Sequence, residues 1–346
     1  MLSWLTDLIP PRPLGLTRIV VGAAALIRAF VAWPILTKLA QPETLRTPYT
    51  EWLPEPTTLL VVVILITWAV SAFLFMVGWH VPWSGSLLVA ALVANLLLDH
   101  QTYSNHLYLM ALLAFLLTLS RSGSGLSVSG IERDVVSWPV VLIMTQISIV
   151  YGFSAVTKIN EDFLSGAVMA GVLRDGLIPF PSGLRTPAFL SSMAVIVIAV
   201  ELFIALFLWS RRFRPYAFLL GLGLHVSIVA LMADTGELTV FGLEMLATYP
   251  LFLGAEIAAL MANRQWTERT ERYNLIRLVS VEEVTTDDLT LTENDATWTG
   301  ATAHTRTLER LVPWLWVAAV LRLPVVRQLH ERRHQSRIVL PADSGH

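Results

Sequence analysis

The sequence predicts an all-α polytopic membrane protein: a bundle of about eight transmembrane helices with a small cytoplasmic C-terminal tail. Of its 346 residues, 55% are hydrophobic and only 14% are charged, whereas about 25% of the residues in a soluble domain are charged. The mean hydropathy is +0.62, and long stretches carry almost no charge. This composition excludes a soluble enzyme and a disordered protein. The net charge of −2 leaves no basic excess for binding nucleic acid.

A transmembrane helix needs about 20 predominantly apolar residues, and eight segments are candidates. The third and fourth are short, so they predict a re-entrant or tilted pair as readily as two full spans. The less apolar segment 159–187 is predicted to lie along the interface as an amphipathic piece and a loop. The eight candidates are 16–39, 58–79, 84–99, 105–120, 138–157, 188–209, 215–233 and 238–262.

Arginines near the span ends predict the orientation, because positively charged residues are enriched in cytoplasmic loops. The turn Arg211–Arg214 gives the strongest signal. We therefore expect a multi-pass plasma-membrane protein with cytoplasmic N- and C-termini and an outward-facing loop 158–187. The other basic positions assigned to the cytoplasmic side are Arg12, Arg18, Arg121, Arg133 and 264–272, and the opposite side receives Glu43, Glu51, Glu55, Asp234 and Glu237.

The composition changes near residue 262, which divides the chain into a transmembrane domain, 1–262, and a cytoplasmic tail, 263–346. The tail is predicted to hold a polar linker over 267–307 and then amphipathic helices, broken at Pro313 and Pro324. A ninth span is disfavoured, because Arg322 would lie inside it at a cost of about 2.5–3.5 kcal/mol.

The residue types limit the chemistry. The chain has no cysteine, which excludes disulfides, thiolate nucleophiles and cysteine-based zinc or iron–sulfur sites, and no metal is expected. Its only lysines are Lys38 and Lys158. Ionisable residues within the spans or at their ends are functional candidates, because lipid disfavours them. They are Arg28, His106, Lys158, Glu201, His225, Glu244 and Glu256.

Each candidate also has a structural interpretation. Arg28 and Glu201 can pair with each other across the bundle, and His106 can be an interfacial histidine. Glu244 and Glu256 can cap a helix or form ion pairs. A structural Lys158 would extend to the membrane surface or pair with Glu161 or Asp162.

The functional interpretation combines Lys158 with Asn105 and His106. These residues are predicted to lie at the outer ends of the fourth and fifth spans, where short helices can bring them together. Burial lowers the pKa of a lysine from about 10.4 by up to about 3–5 units. Lys158 could then act as a general base towards an amphipathic, lipid-soluble substrate.

Four stretches in order carry a family resemblance. They resemble the vitamin K-dependent γ-glutamyl carboxylase family and its prokaryotic relatives, the horizontally transferred transmembrane (HTTM) domain proteins, over about residues 10–262. The stretches are LGLTRIVVG around Arg18, NHLYLMALLAFLLTLS from Asn105, YGFSAVTKINEDFLSG from Tyr151 and LHVSIVALMADTGELTVFGLEMLATYPLF from Leu224.

The resemblance implies a reaction and residue roles. Lys158 would deprotonate a hydroquinone, either reduced vitamin K or menaquinol, with His106 and Asn105 in the same active site. His225 and Tyr151 would contact the quinol. Dioxygen and carbon dioxide would be co-substrates, giving the quinone epoxide and a carboxylated glutamate of a peptide or protein. The chain shows no equivalent of the large luminal portion of the animal enzymes, so epoxidation is better supported than carboxylation.

The tail carries a second resemblance. The stretch ATWTGATAHTRTLERLVPWLWVAAVLRLPVVRQLHERRHQSRI, from Ala296, is similar to the C-terminal half of DCC-type thiol–disulfide oxidoreductase-like domains. Their redox centre is a cysteine motif, so a cysteine-free chain excludes thiol redox chemistry. A docking or structural role is expected for the tail.

Two other functions stay open from the sequence. The main alternative is a non-catalytic membrane protein that binds quinone or lipid, or serves as an interaction partner. A transporter has less support, because no inverted repeat or pair of broken helices is evident.

Overall fold

The fold is described from a computed structural model, which covers residues 5–50, 52–175, 181–232, 235–253, 258–275, 277–284, 289–293, 296–311 and 314–338. Glu51, Asp234, Glu256 and Pro313, named above, lie outside these residues. The described residues form two compact units, one within 1–205 and 221–251 and the other within 206–220 and 252–346.

The first unit is a helical bundle, which confirms the predicted all-α polytopic membrane class. Among the described residues, six helices are long and apolar enough to span a membrane, and a seventh apolar helix is shorter. The apolar helices are α1 (Arg12–Leu39), α2 (Thr58–Val77), α3 (Val81–Leu98), α4 (Asn105–Leu119), α5 (Trp138–Thr157), α8 (Pro187–Phe207) and α9 (Arg214–Leu231).

Shorter elements complete this unit. Two strands of two residues each pair in the antiparallel direction. The first strand, β1, precedes α1, and the second, β2, precedes α5. Two short helices occupy most of the described part of the segment between α5 and α8, and α10 packs against α1. These elements are β1 (Leu8–Ile9), β2 (Val135–Val136), α6 (Glu161–Leu164), α7 (Ala167–Asp175) and α10 (Thr235–Ala247).

The eighth predicted span, 238–262, is wrong as a continuous helix. α10 ends at Ala247 and is followed by a 3-10 turn over Tyr249–Leu253. Pro250 lies in that turn, and proline restricts the preceding residue and cannot continue the backbone hydrogen bonds of a helix. The apolar run Ala258–Ala262 is instead a strand, because a short apolar run fits a buried strand as well as a helix.

Close helix packing explains two glycines of the first unit. A Cβ added to Gly22 of α1 would lie 2.7 Å from the Cα of Met76 of α2. A Cβ added to Gly85 of α3 would lie only 2.0 Å from the hydroxyl of Thr118 of α4. Small residues at such positions let helix backbones approach, which stabilises helix pairs in membranes.

Arg18 has a structural role that the sequence did not indicate. Its side chain is fully buried, and its place near a cytoplasmic span end stays a prediction. Its Nη1 donates to the carbonyl oxygens of Ser122 at 2.5 Å and Gly125 at 3.1 Å. Its Nη2 donates to the carbonyl oxygen of Leu126 at 2.6 Å. Arg18 therefore holds the loop after α4 against α1.

Replacing Arg18 is expected to destabilise the protein. Arg18→Met leaves three buried carbonyl groups without their charged donor, which should lower the free energy of unfolding by about 3 kcal/mol or more. Thermal unfolding in detergent measures the effect. The exposed Arg133→Met provides the control, and equal stability of the two variants would contradict this role for Arg18.

Asp99 ties the loop after α1 to the turn between α3 and α4. Its carboxylate accepts hydrogen bonds from the Thr47 backbone N–H at 2.6 Å, the Thr47 hydroxyl at 2.8 Å and the Gln101 N–H at 2.9 Å. Burial raises the pKa of Asp99, but the hydrogen bonds from Gln101 and Thr47 outweigh it and hold the pKa below its ordinary value.

This contact predicts a pH dependence of stability. A lowered pKa in the folded protein means that Asp99 stabilises the fold above its unfolded-state pKa of about 3.9. The stabilisation is lost as the pH falls through the lower folded-state value. Asp99→Asn should therefore reduce the melting temperature at pH 7 and flatten its dependence on acidic pH. An unchanged acid profile would contradict the assignment.

The second unit contains a four-stranded sheet, whose strands lie in the order β4 (Val279–Glu283), β3 (Ala258–Ala262), β5 (Thr290–Glu293) and β6 (Ala296–Thr299). β3 and β4 are parallel and are joined through α11, whereas β5 is antiparallel to β3 and to β6. Leu260, Leu291 and Ala303 belong to its apolar core. The elements are β3 (Ala258–Ala262), α11 (Arg264–Tyr273), β4 (Val279–Glu283), β5 (Thr290–Glu293), β6 (Ala296–Thr299), α12 (Gly300–Arg310), α13 (Leu315–Leu321) and α14 (Pro324–Ile338).

This sheet corrects the expectation of a polar linker over 267–307. The strands in this region are short: β4 begins with buried or half-buried residues alternating with exposed ones, and β5 has one buried residue among half-buried ones. Their pattern was hidden by the high content of threonine and acidic residues. Two helices, α13 and α14, follow the predicted linker, whereas most of α12 lies within it.

Candidate functional site

One face of α5 carries the polar side chains of the candidate site. Tyr151, Ser154 and Lys158 follow each other at spacings of three and four residues, which places them along one side of a helix. α5 starts at Trp138 with a proline in its first turn, and Lys158 is the residue that caps its C-terminal end.

Lys158 forms an ion pair with Glu201 of α8. Its Nζ lies 2.9 Å from each carboxylate oxygen of Glu201. The Ser154 hydroxyl accepts from the same Nζ at 2.5 Å and donates to Glu201 Oε1 at 3.0 Å. The Glu201 side chain is 6% exposed and that of Lys158 is 26% exposed. The Ser154 hydroxyl therefore bridges the two charged side chains, which we call the Lys158–Glu201 pair.

The Lys158–Glu201 pair lies beside the interior of a candidate span. α5 and α8 run antiparallel here: a Cβ on Gly152 would lie 3.8 Å from Ala205, and the Ser191 hydroxyl donates to the carbonyl oxygen of Ser165 at 2.9 Å. Glu201 falls in the C-terminal third of α8. Lys158 thus ends its helix, as predicted, but at a level well inside α8 rather than at its end. Charges in such a position need a partner.

The pairing expected between Arg28 and Glu201 is wrong. Arg28 of α1 lies 2.5 Å from Glu237 of α10, measured from Nη2 to Oε1, while Glu201 binds Lys158. Both predicted charges are paired inside the bundle, but with different partners. Sequence alone gives no distance between helices, so it could not choose among them.

A second group joins three of the predicted residues through aromatic contacts. The Tyr151 hydroxyl lies 2.8 Å from His225 Nε2 and 2.8 Å from the Tyr249 hydroxyl. Phe241 of α10 packs edge-on against His225, with ring centroids 5.6 Å apart. It also stacks on His106, with centroids 4.4 Å apart. We call these five residues the aromatic cluster.

Asn105 is not part of the aromatic cluster by any contact that the structure describes. It is exposed at the start of α4. Its Oδ1 accepts a hydrogen bond from the Tyr103 hydroxyl at 3.1 Å. The structure therefore brings together His106, Tyr151 and His225, and it connects Lys158 to them through α5.

Glu244 lies on α10, three residues after Phe241. It is fully buried, and neither carboxyl oxygen has a hydrogen-bond partner among the described residues. The positive charge of Arg28 is within electrostatic range. Buried polar groups in folded proteins are normally hydrogen-bonded, so Glu244 is an exception among the described residues.

Sequence reasoning missed Ser154, Tyr249 and Phe241. Ser154 and Tyr151 precede Lys158 by four and seven residues, so helical spacing from Lys158 identifies Ser154. Tyr249 and Phe241 carry no such signal, because they come from a separate helix and turn. Among the described residues, no group of three or more His, Asp and Glu side chains is placed to hold a metal ion.

The bundle and its buried polar groups define a polytopic membrane protein with a charged and aromatic site among its helices. Its apolar helices are in contact with lipid. The family model of the HTTM domain matches residues 8–256, and the chain belongs to this family. The match ends before β3, so the sheet of the second unit lies outside it. No solved structure matches the chain.

Proposed function

We propose that this protein is a membrane-embedded enzyme that resembles the vitamin K-dependent γ-carboxylases and oxygenates a menaquinol or phylloquinol to its epoxide. The coupled reaction in this proposal is carboxylation of a protein glutamate. The observation that carries the proposal is the Lys158–Glu201 pair, beside a spanning helix and on the same face of α5 as Tyr151.

The pair can supply a base despite its charge. An ammonium group bound to a carboxylate cannot accept a proton, so Lys158 must first lose one. Glu201 is the acceptor in direct contact, and the Ser154 hydroxyl bridges the two. Burial in a low-dielectric site disfavours charges, which favours a neutral amine beside a neutral carboxylic acid when substrate excludes water. Lys158 Nζ then accepts the hydroxyl proton of the substrate.

The aromatic cluster and Glu244 fit a hydroquinone. Its ring needs apolar and aromatic contacts, which Phe241 and His106 offer. Its two hydroxyl groups need hydrogen-bond partners, and the buried carboxyl group of Glu244 has oxygens to offer. Tyr151 holds His225 in a fixed orientation. When bound, the quinol supplies the reaction with dioxygen; the protein binds it, excludes water and removes a proton.

The proposal assigns roles to the predicted residues. Lys158 is the base, His106 assists it, and His225 and Tyr151 orient the quinol. Asn105 keeps only the assisting role that the family resemblance implies. We also propose a plasma-membrane location with both termini in the cytoplasm and the site towards the outer face, supported by the distribution of arginines.

The direct test is turnover by the purified protein in lipid. Reduced menaquinone or reduced vitamin K is supplied under oxygen, and mass spectrometry detects the epoxide. A glutamate-containing peptide with labelled bicarbonate reports carboxylation in the same sample. Epoxide that depends on oxygen and protein is the expected result. A folded protein that binds quinone and gives no epoxide with either substrate would overturn the proposal.

A non-catalytic quinone- or lipid-binding protein is the second candidate. The observation in its favour is that the Lys158–Glu201 pair bridges α5 and α8, as a purely structural ion pair would. This candidate predicts quinone binding without epoxide. It also predicts that arginine replaces Lys158 without loss of function.

The likeness of the tail to DCC-type domains is a separate proposal. The β3-α11-β4 unit is the setting in which a Cys-x-x-Cys motif would indicate a thioredoxin-like redox site. The chain has no cysteine. We therefore assign the tail a docking or structural role.

A further inference from the structure

The second unit encloses a cavity of about 450 Å³ whose wall is rich in arginine. We call it the arginine cavity. The turn between α8 and α9 contributes two of its arginines, the start of α9 one, α12 two and the residue after α13 one. They are Arg211, Arg212, Arg214, Arg306, Arg310 and Arg322.

Two of the described lining residues are carboxylates, and both form ion pairs. Glu293 lies 2.5 Å from Arg310 and 3.6 Å from Arg306. Glu309 pairs with Arg322 and accepts a hydrogen bond from its Nη2 at 2.7 Å. With Arg211 left aside, five arginines against two glutamates leave an excess of three positive charges among the described lining residues.

The positively charged groups of the cavity lie close together and are partly buried. Arg310 is buried, and the pKa of Arg306 is lowered, first by burial and then by the positive charge of Arg322. Like charges in a medium of reduced dielectric repel strongly. A bound anion relieves this repulsion, so the arrangement is suited to a ligand that carries several negative charges or oxygens.

We propose that the arginine cavity binds a phosphate-bearing anion. Guanidinium groups bind phosphate oxygens through paired, charge-assisted hydrogen bonds, and arginines from three segments surround one space. Leu315 and Ala319 give the wall an apolar side. The volume is enough for a phosphate or a phosphodiester with part of its substituents.

The sequence position of the turn indicates where such an anion comes from. Arg211–Arg214 directly joins two helices that can span a membrane, so this turn lies at a membrane surface. Phospholipid phosphates are concentrated there, and anionic lipids attract basic segments. A free phosphate compound has the same chemistry and is the other source. Neither depends on the Lys158–Glu201 pair, which belongs to the other unit.

Binding to the purified full-length protein in detergent tests the proposal. Native mass spectrometry compares dihexanoyl-phosphatidylglycerol, zwitterionic dihexanoyl-phosphatidylcholine and inorganic phosphate. The variant Arg211→Gln/Arg212→Gln removes two cavity charges. Arg264→Gln/Arg272→Gln removes two exposed arginines of α11 that do not line the cavity, and Arg211→Lys/Arg212→Lys keeps the charge.

The wild type and the α11 variant should bind phosphatidylglycerol or phosphate in preference to phosphatidylcholine. The glutamine variant should bind about tenfold more weakly or worse, and the lysine variant should recover part of the affinity. Binding of phosphatidylglycerol alone identifies a lipid headgroup, and binding of inorganic phosphate identifies a free anion. Absence of binding by the wild type, or equal binding by the glutamine variant with unchanged circular dichroism, overturns the proposal.

Discussion

Lys158→Arg is expected to abolish epoxide formation while leaving the fold intact. Arginine keeps the positive charge, so it can still pair with Glu201, but it does not give up its proton at physiological pH. Loss of a general base lowers the rate by about 10²–10⁴-fold. The measurement is the initial rate of epoxide formation under saturating quinol and oxygen.

The chain offers a matched control for this variant. Lys38 is the only other lysine and is exposed near the end of α1, so Lys38→Arg should leave the rate unchanged. Thermal unfolding shows whether both variants fold as the wild type does. Full activity of a folded Lys158→Arg protein would show that Lys158 is structural.

Glu201→Gln is expected to reduce both turnover and stability. The amide cannot take the proton that Lys158 must release, so the rate should fall by about 10²–10⁴-fold. It also leaves a half-buried ammonium group without its counter-ion. Breaking a fully buried pair costs about 3–5 kcal/mol; because Lys158 is partly exposed, about 1–3 kcal/mol is expected.

The two variants differ in a way that separates chemistry from structure. Lys158→Arg should lose rate but retain its melting temperature, whereas Glu201→Gln should lose both. Glu161→Gln provides the control, since Glu161 is an exposed carboxylate close to Lys158 in the chain. A Glu201→Gln protein of lower stability but unchanged turnover would limit Glu201 to a structural role.

The membrane-spanning helices could be predicted from the sequence because long apolar runs leave few other structures possible. The end of the eighth predicted span could not be predicted, since α10 ends at Ala247, shortly before Pro250, and the five residues Ala258–Ala262 form a strand. Arg18 likewise lies near the start of an apolar run, where an arginine normally indicates the cytoplasmic side of the membrane. Its burial depends on carbonyl groups more than a hundred residues away.

The candidate site shows the same division. Lys158, His106 and His225 stood out because ionisable side chains are rare in apolar segments. Glu201 stood out for the same reason, but its pairing with Lys158 did not, because a sequence gives no distance between α5 and α8. Phe241 and Tyr249 look like ordinary core residues until the fold places them against the two histidines and Tyr151.

The central claim is that the Lys158–Glu201 pair removes a proton from a bound hydroquinone. Absorbance spectra of the protein with reduced menaquinone under strict anaerobiosis test it directly, because the hydroquinone anion absorbs differently from the neutral form and cannot react onward without oxygen. The anion spectrum should appear with the wild type and Lys38→Arg proteins and be absent with Lys158→Arg. The same spectrum in all three proteins, or none with a wild-type protein that binds the quinol, would contradict the claim.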